Sequence, residues 1–496
     1  HYRLDSNWPH PLFGLALSDS KDSCFILLED IEKDDELCDY LKNTKDIISL
    51  DVKSLFHAQT NKLHFNSQMI DVSLLAFIDD SSINSYSKMA EVYHLPSAAV
   101  AINDVKNQDL VRELALALHQ VSEKIISSCE EKDVLDVYKK IDYPMIEVLY
   151  DMEKEGFLVD ASILNEIAET TLIKINKLTQ SIYLQAGQSF NINSPKQLAD
   201  ILFDVLHLTS NRKRSTSVDV LESLMDEHPI ISELMEYRKF QKLYSTYAIG
   251  LSKYIQEDSK IHTAYNLTTA QTGRLSSSDP NLQNISVRDE ESKAIRKAFI
   301  PHPNHVLLAC DYSQIELRVL AHMAQEKALI EAFKTGLDIH TKTAMDVFGL
   351  SEDQVDSGAR RAAKAVNFGI IYGISDFGLA AQIGSDRKSA KAFIETYLNT
   401  YSGISSYMND TIAFCEEKGY VETLFRRRRE LPDIHNKAFQ VREFAKRASM
   451  NAPIQGTAAD IMKLAMIDIH QKMKEKQFKA KMIVQVHDEL VFEVPL

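Results

Sequence analysis

Asp311-Tyr312-Ser313-Gln314-Ile315-Glu316 and, far along the chain, Gln485-Val486-His487-Asp488-Glu489 each set carboxylates at the edge of an apolar, strand-like run. The first follows His305-Val306-Leu307-Leu308-Ala309-Cys310. The second is entered from Met482-Ile483-Val484 and left through Leu490-Val491-Phe492-Glu493-Val494. A strand ending in Asp311 and a hairpin tipped by His487-Asp488-Glu489 can converge their acids on one small volume. Carboxylates held that close repel one another, and divalent cations relieve the repulsion. Two Mg2+ ions about 3.5–4 Å apart could clamp the attacking and leaving oxygens of an in-line phosphoryl transfer. Acids at strand ends are also common as solvated turn formers, so the pattern needs a third segment.

That segment is Arg360-Arg361-Ala362-Ala363-Lys364-Ala365-Val366-Asn367-Phe368-Gly369-Ile370-Ile371-Tyr372-Gly373. Ser351 with Gln354 forms a capping-box pattern just before it. Arg360, Lys364, Phe368 and Tyr372 recur at every fourth residue, so a helix puts them on one slowly drifting stripe. The stripe is cationic at its start and aromatic at its end, which suits a nucleoside triphosphate: cations for phosphates, a ring for the base. An ordinary amphipathic helix, aromatics in the core and cations in water, has the same spacing.

The three segments, in this order, resemble motifs A, B and C of the family A DNA polymerases. Thr272-Gly273-Arg274-Leu275-Ser276-Ser277, Pro280-Asn281-Leu282-Gln283-Asn284-Ile285 and Asn451-Ala452-Pro453-Ile454-Gln455-Gly456 are similar to that family's palm. Phe190-Asn191-Ile192-Asn193-Ser194-Pro195-Lys196-Gln197-Leu198 and Leu243-Tyr244-Ser245-Thr246-Tyr247 resemble its thumb. The similarity runs from about Tyr138 to the C-terminus and is strongest to the large fragment of bacterial members. It implies a multidomain α/β and α+β chain: a right-hand polymerase with an antiparallel palm sheet and helical thumb and fingers, preceded by an exonuclease-like α/β domain. The expected divisions are 1–130 exonuclease-like, 131–258 thumb, 259–335 first part of the palm, 336–429 fingers and 430–496 second part of the palm. On the same grounds, a few dozen residues that close the palm are expected beyond Val494-Pro495-Leu496.

Residues 1–130 alternate short apolar runs (Phe13 to Leu17, Cys24 to Leu28) with helical patterns such as Leu110 to Ile126, as an α/β domain does. The 3′–5′ exonuclease chemistry that its position implies needs several carboxylates. No Asp-x-Glu precedes Leu17, Asp51-Val52-Lys53-Ser54-Leu55 lacks the expected acid, and Leu114 to His119 supplies neither Tyr nor Asp. Asp71 alone cannot hold two metals, so no proofreading is expected. Helical periodicity then dominates to about Asp258, for example Ile163 to Ala186 and Val218 to Tyr237.

A net charge of −15 over 496 residues argues against nucleic acid until it is located. Residues 1–136 carry 12 Lys and Arg against 24 Asp and Glu, a net of −12, which leaves −3 for residues 137–496. In that near-neutral remainder, Arg212-Lys213-Arg214 and Arg426-Arg427-Arg428-Arg429 could follow a phosphate backbone, or form solvated faces. No apolar run approaches the roughly 18–20 residues of a membrane span, and no signal peptide is evident. Five scattered cysteines without a CxxC suggest reduced thiols in a cytoplasmic protein.

The expected roles follow. Asp311 and Asp488 ligate two Mg2+ ions (Mn2+ could substitute), the Tyr312 carbonyl adds a ligand, and Glu489 tunes the site. Arg360 and Lys364 hold phosphates, Lys364 also protonates the leaving pyrophosphate, and His487 touches phosphate or primer end or is simply a turn histidine. Resemblance adds Glu316 as a steric gate working with Tyr372, Phe368 as the stacking residue that disfavours dideoxynucleotides, and Gln314 beside the nucleotide. It also places Arg274, Asn281, Gln283, Asn284, Arg447, Asn451 and Gln455 on primer–template DNA, where minor-groove acceptors report geometry rather than sequence. Closure of that helix onto the palm would select the fitting base; Gly369 and Gly373 could ease the movement, or Gly373 could simply be a helix stop. The expectation is a monomeric, template-directed polymerase using dNTPs. A catalytically silent primer–template binder and a single-subunit RNA polymerase are the alternatives.

Overall fold

The computed structural model describes residues 14–19, 21–96, 108–209, 214–285 and 290–496. Phe13, Arg212, Lys213 and part of the Thr209–Ser217 loop lie outside them. The chain divides into two compact units: residues 1–153, 265–277 and 309–492 in the first, 154–264, 278–308 and 493–496 in the second. The segment expected as thumb, 131–258, is therefore shared: its first part folds with the first unit and the rest makes up most of the second.

The first unit opens with an antiparallel hairpin, β1 (Gly14–Ser18) and β2 (Ser23–Leu27). Next comes β3 (Asp46–Ser49), which runs parallel to β4 (Gln68–Asp71), with helix α1 (Val52–His57) between them. The apolar α2 (Val72–Asp79) and long α3 (Gln108–Glu131) follow. Each chain reversal is capped by a carboxylate: Asp51 accepts from Ser54 N–H and Asp71 from Leu74 N–H. Helix α4 (Tyr143–Glu155) ends this stretch.

The second unit is helical. Asp160 caps α5 (Ala161–Ala186), and Gly187, at φ 70°, ends it. The helix expected across Val218 to Tyr237 is two: α6 (Val218–Ser223) and α7 (Ile230–Lys242). Pro229 breaks it, because a proline ring bars its predecessor from helical torsions, and His228 Nδ1 then accepts the Ile230 N–H at 3.1 Å.

Back in the first unit, β5 (His305–Asp311, of which Ala309–Asp311 belong here) is one strand of a three-stranded sheet. It leads into α8 (Ile315–Met323), followed by α9 (Ile339–Phe348) and α10 (Ser357–Ile371). The 37-residue α11 (Phe439–Glu475) precedes the hairpin strands β6 (Lys481–Val486) and β7 (Glu489–Pro495). The sheet order is β6-β7-β5, so β5 is an edge strand, with Leu308 50% exposed. One apolar core locks the helices behind the acids: Leu317 and Leu320 of α8, Val366 and Ile370 of α10 and Ile454 of α11 pack together with Tyr397 and Tyr401. Among the described residues no helix is long and apolar enough to cross a membrane.

Candidate active site

The two acidic segments meet. Tyr312 N–H donates to the Asp488 carbonyl at 3.0 Å, which pins the end of β5 to the tip of the β6–β7 hairpin. His487 turns that tip in a left-handed conformation, φ 56°, and the Gln485 side-chain amide donates to the His487 carbonyl at 2.6 Å. Burial, then the charges of Asp488 and Glu489, push the Asp311 carboxyl above its usual range. No basic side chain among the described residues pairs with Asp311, Asp488 or Glu489, so their repulsion is left uncompensated.

A cavity of about 560 Å³ opens beside them. Asp311, Tyr312, Gln314, His487 and Asp488 line it around the strand ends, Glu316 from α8, Phe368 from α10 and Tyr372 from just past its end, together with Arg274. Glu316 is buried in its wall; it accepts from the Tyr372 hydroxyl at 2.9 Å and is ion-paired to Arg274. Burial and the Glu316 charge push the Tyr372 phenol up to about 12, so it remains a donor. Arg274, expected on DNA, thus holds the Glu316 carboxylate in this structure. Gln314 enters α8 at φ 54° with its buried Oε1 unpartnered among the described residues.

The expected stripe forms on α10. Asp356 caps the helix, accepting from Ala359 N–H at 2.7 Å, and the Ser351–Gln354 capping box precedes it. At the other end Gly373 N–H bonds Ile370 O and Ile374 N–H bonds Gly369 O, a Schellman stop that places Gly373 at φ 63°. A Cβ on Gly373 would lie 2.6 Å from the Arg447 side chain, so this glycine is demanded by both torsion and space. Asn451 braces the same end, donating to Ile371 O at 3.3 Å. Lys364 is exposed, 5.9 Å from the Phe368 ring. Arg360 instead grips Asp338 with two hydrogen bonds, of 3.0 and 2.8 Å. That guanidinium holds the Asp338 carboxyl well below the usual carboxylate range.

Arg360, Lys364, Glu489, Arg447, Asn451 and Gln455 are not part of the cavity lining. Asn281, Gln283 and Asn284 belong to the second unit, where Asn281 caps a short turn and the Asn284 carbonyl accepts from Tyr247 at 2.7 Å. The Arg426–Arg429 run is not a phosphate track. Arg427 is buried between Asp142 and Asp460, the Arg428 guanidinium lies 4.1 Å from the Tyr420 ring, and Arg429 donates to Gln271. In the other basic run, Arg214 pairs with Asp200 and Asp204.

Sequence reasoning missed His340. It is buried against Phe368, ring centroids 5.8 Å apart, and its Nδ1 takes a hydrogen bond from the Asn367 amide at 3.1 Å. Its proton therefore sits on Nε2, which has no acceptor among the described residues. Burial holds this imidazole down to about 4, so it is a neutral donor beside the cationic end of the stripe.

Among the described residues no group of three or more His, Cys, Asp and Glu side chains is gathered for a metal. Two carboxylates with an adjacent backbone carbonyl still fit Mg2+. That ion commonly takes one or two protein carboxylates and completes its shell with water and substrate phosphates.

Residues 161–496 match the model of the family described as DNA polymerase family A. The chain is 47% identical over 447 residues to DNA polymerase I of Bacillus subtilis, a match spanning 86% of this chain and 51% of that protein. It is 41% identical over 515 residues to DNA polymerase I of Geobacillus stearothermophilus, spanning 99% of this chain and 59% of that protein. The chain thus spans between half and three-fifths of these relatives' length. Among solved structures, the POL domain of Pol1 from M. smegmatis, in complex with DNA primer-template and dNTP, superposes with a TM-score of 0.87 at 33% identity. That match covers 98% of this chain and 86% of the other.

Proposed function

Since the chain belongs to DNA polymerase family A, we propose that it adds deoxynucleotides to a primer 3′ end under the direction of a template, as a monomer and without proofreading. The observation that carries this reading is the convergence of Asp311 and Asp488 on a cavity whose wall is the Glu316–Tyr372 pair.

Asp311, Asp488 and the Tyr312 carbonyl are the residues that would hold two Mg2+ ions, or Mn2+ in their place. Bound there, such ions supply the positive charge that acidifies the primer 3′-hydroxyl and offsets charge on the pyrophosphate. Lys364 holds the triphosphate and donates a proton to the leaving pyrophosphate. Arg360 joins it by exchanging the Asp338 carboxylate for phosphate oxygens, and the His340 Nε2–H is a third donor. Phe368 stacks on the incoming base. Glu316 and Tyr372 fill the space a ribose 2′-hydroxyl needs, while Gln314 and His487 border the nucleotide and primer end. Arg447, Asn451 and Gln455, with Asn281, Gln283 and Asn284 of the second unit, contact the primer–template duplex.

The absence of proofreading rests on Asp71. Its two oxygens accept from Val52 and Leu74 N–H groups at 2.8 Å each, and burial followed by the Asp51 charge pushes its carboxyl up to about 8. It is a buried staple, not a metal ligand. Primer extension with Mg2+, all four dNTPs and a matched or 3′-mismatched primer tests the whole reading. Template-directed lengthening, with no Mg2+-dependent removal of the mismatched nucleotide, is expected. A chain that binds the duplex but leaves the primer length unchanged would be a silent binding module instead.

A further inference from the structure

Tyr265 is fully buried in the first unit, and its phenol oxygen accepts a hydrogen bond from the Gln485 backbone N–H at 3.0 Å. Gln485 is the next-to-last residue of β6, three before Asp488, and its side chain also ties down the His487 carbonyl at 2.6 Å. The phenol thus holds the strand that presents the second acid. Tyr265 is itself clamped from behind. Its N–H donates to Glu153 Oε1 at 2.6 Å, and its carbonyl accepts from the Lys53 ammonium. Lys53 also pairs with Glu153 Oε1 at 2.5 Å, and His57 Nε2 lies 2.7 Å from Glu153 Oε2. Glu153 is 1% exposed, so its charge is tolerable only with these partners.

Lys53 and His57 sit on α1, in the part of the chain expected to be a nuclease relic. It has retained no set of nuclease carboxylates, yet it sends a cation and an imidazole onto the residue that grips Tyr265. We propose that Tyr265 is a positioning residue for polymerisation, and that α1, through Lys53, His57 and Glu153, braces it so that the β6–β7 tip holds Asp488 in register with Asp311. The nuclease-like segment then serves the polymerase site mechanically rather than chemically. This inference rests on the polymerase reading given above.

A hydroxyl deletion isolates the claim. Tyr265→Phe keeps the buried ring but removes the phenol acceptor of the Gln485 N–H, a loss that a well-packed strand feels as a factor of about 5–30 in an equilibrium between ordered and displaced states. The brace predicts that Tyr265→Phe and Lys53→Met each lower kcat for single-nucleotide addition about 5–30-fold. KM for the dNTP and affinity for primer–template should stay within about 2-fold, because neither residue touches substrate. The double variant should lose little more than the worse single variant, since both act through one chain of contacts. Tyr86→Phe, in the same segment but hydrogen-bonded to Pro96, should leave kcat unchanged.

Amide hydrogen exchange of the Gln485–Glu489 stretch, which needs no turnover, should be faster in Tyr265→Phe and Lys53→Met than in the parent. Unchanged kcat together with unchanged exchange would overturn the brace even where the parent extends primers well. A parent that extends nothing would refute the polymerase reading, while the exchange comparison would still decide the brace.

Discussion

At the scale of single residues, the wall of the cavity is set by what holds Glu316. Glu316 is buried with Tyr372 and Arg274 on its two oxygens, so its removal frees both space and a phenol. Glu316→Ala is predicted to lower discrimination against ribonucleotides by about 10–100-fold, read as the ratio of kcat/KM for dGTP and GTP opposite the same template base. An unchanged ratio would remove Glu316 as the gate. His340 gives a stability prediction with a definite sign. Its folded pKa, near 4, lies below the ordinary histidine value near 6.5. The unfolded chain therefore takes up the proton first as pH falls, and stability present above about pH 6.5 is lost toward pH 4. Urea midpoints at pH 7 and pH 4.5 should differ less in His340→Gln than in the parent, by about 1–2 kcal/mol of unfolding free energy. Equal pH dependence would show that the imidazole is not held neutral. His340 could not be singled out from sequence, because its tautomer and missing acceptor depend on Asn367, 27 residues later.

At the scale of elements, periodicity and capping carried most of the reading. The fourfold stripe, the capping box and the two acid-tipped strands all appear where apolar spacing put them, because local backbone physics decides such features. The break at Pro229 was overridden by an apolar pattern that continues on both sides of it. The role of Gly373 was ambiguous between hinge and stop; the Schellman bonds and the Arg447 side chain make it a stop. Gly373→Ala should cost about 1–2 kcal/mol in denaturant unfolding, from left-handed torsion alone, and more where Arg447 cannot yield. A variant as stable as the parent would show that α10 ends another way. The charge run Arg426–Arg429 misled because sequence shows charge but not burial, and the carboxylate that claims Arg427 lies 285 residues upstream.

At the scale of the molecule, that same arginine joins distant stretches of the first unit. Arg427 bridges Asp142 and Asp460, and Lys463 adds a 2.6 Å contact to Asp142; the four side chains are 5% exposed or less. Burial would raise the Asp142 carboxyl, but Arg427 and Lys463 outweigh it and hold it near 2. Asp142→Asn is predicted to destabilise by about 3–5 kcal/mol, since it leaves buried cations undercompensated, while the exposed Arg426→Ala changes stability by less than about 0.5 kcal/mol. Urea unfolding distinguishes them, and equal midpoints would mean the network is incidental. The polymerase-like fold was legible because ordered motifs carried it; the long-range charge network and the hydrogen bonds behind the β6–β7 tip were not, because both depend on contacts between distant residues. The central claim, that Asp311 and Asp488 act together on one reaction, is tested most directly by single-turnover primer extension with Mg2+ in the parent, Asp311→Ala and Asp488→Ala, alongside primer–template affinity. Each substitution should slow addition by more than about 1,000-fold while leaving duplex affinity within a few-fold, and the double variant should be no slower than either single one. Extension at near-parental rate by either single variant would contradict the account.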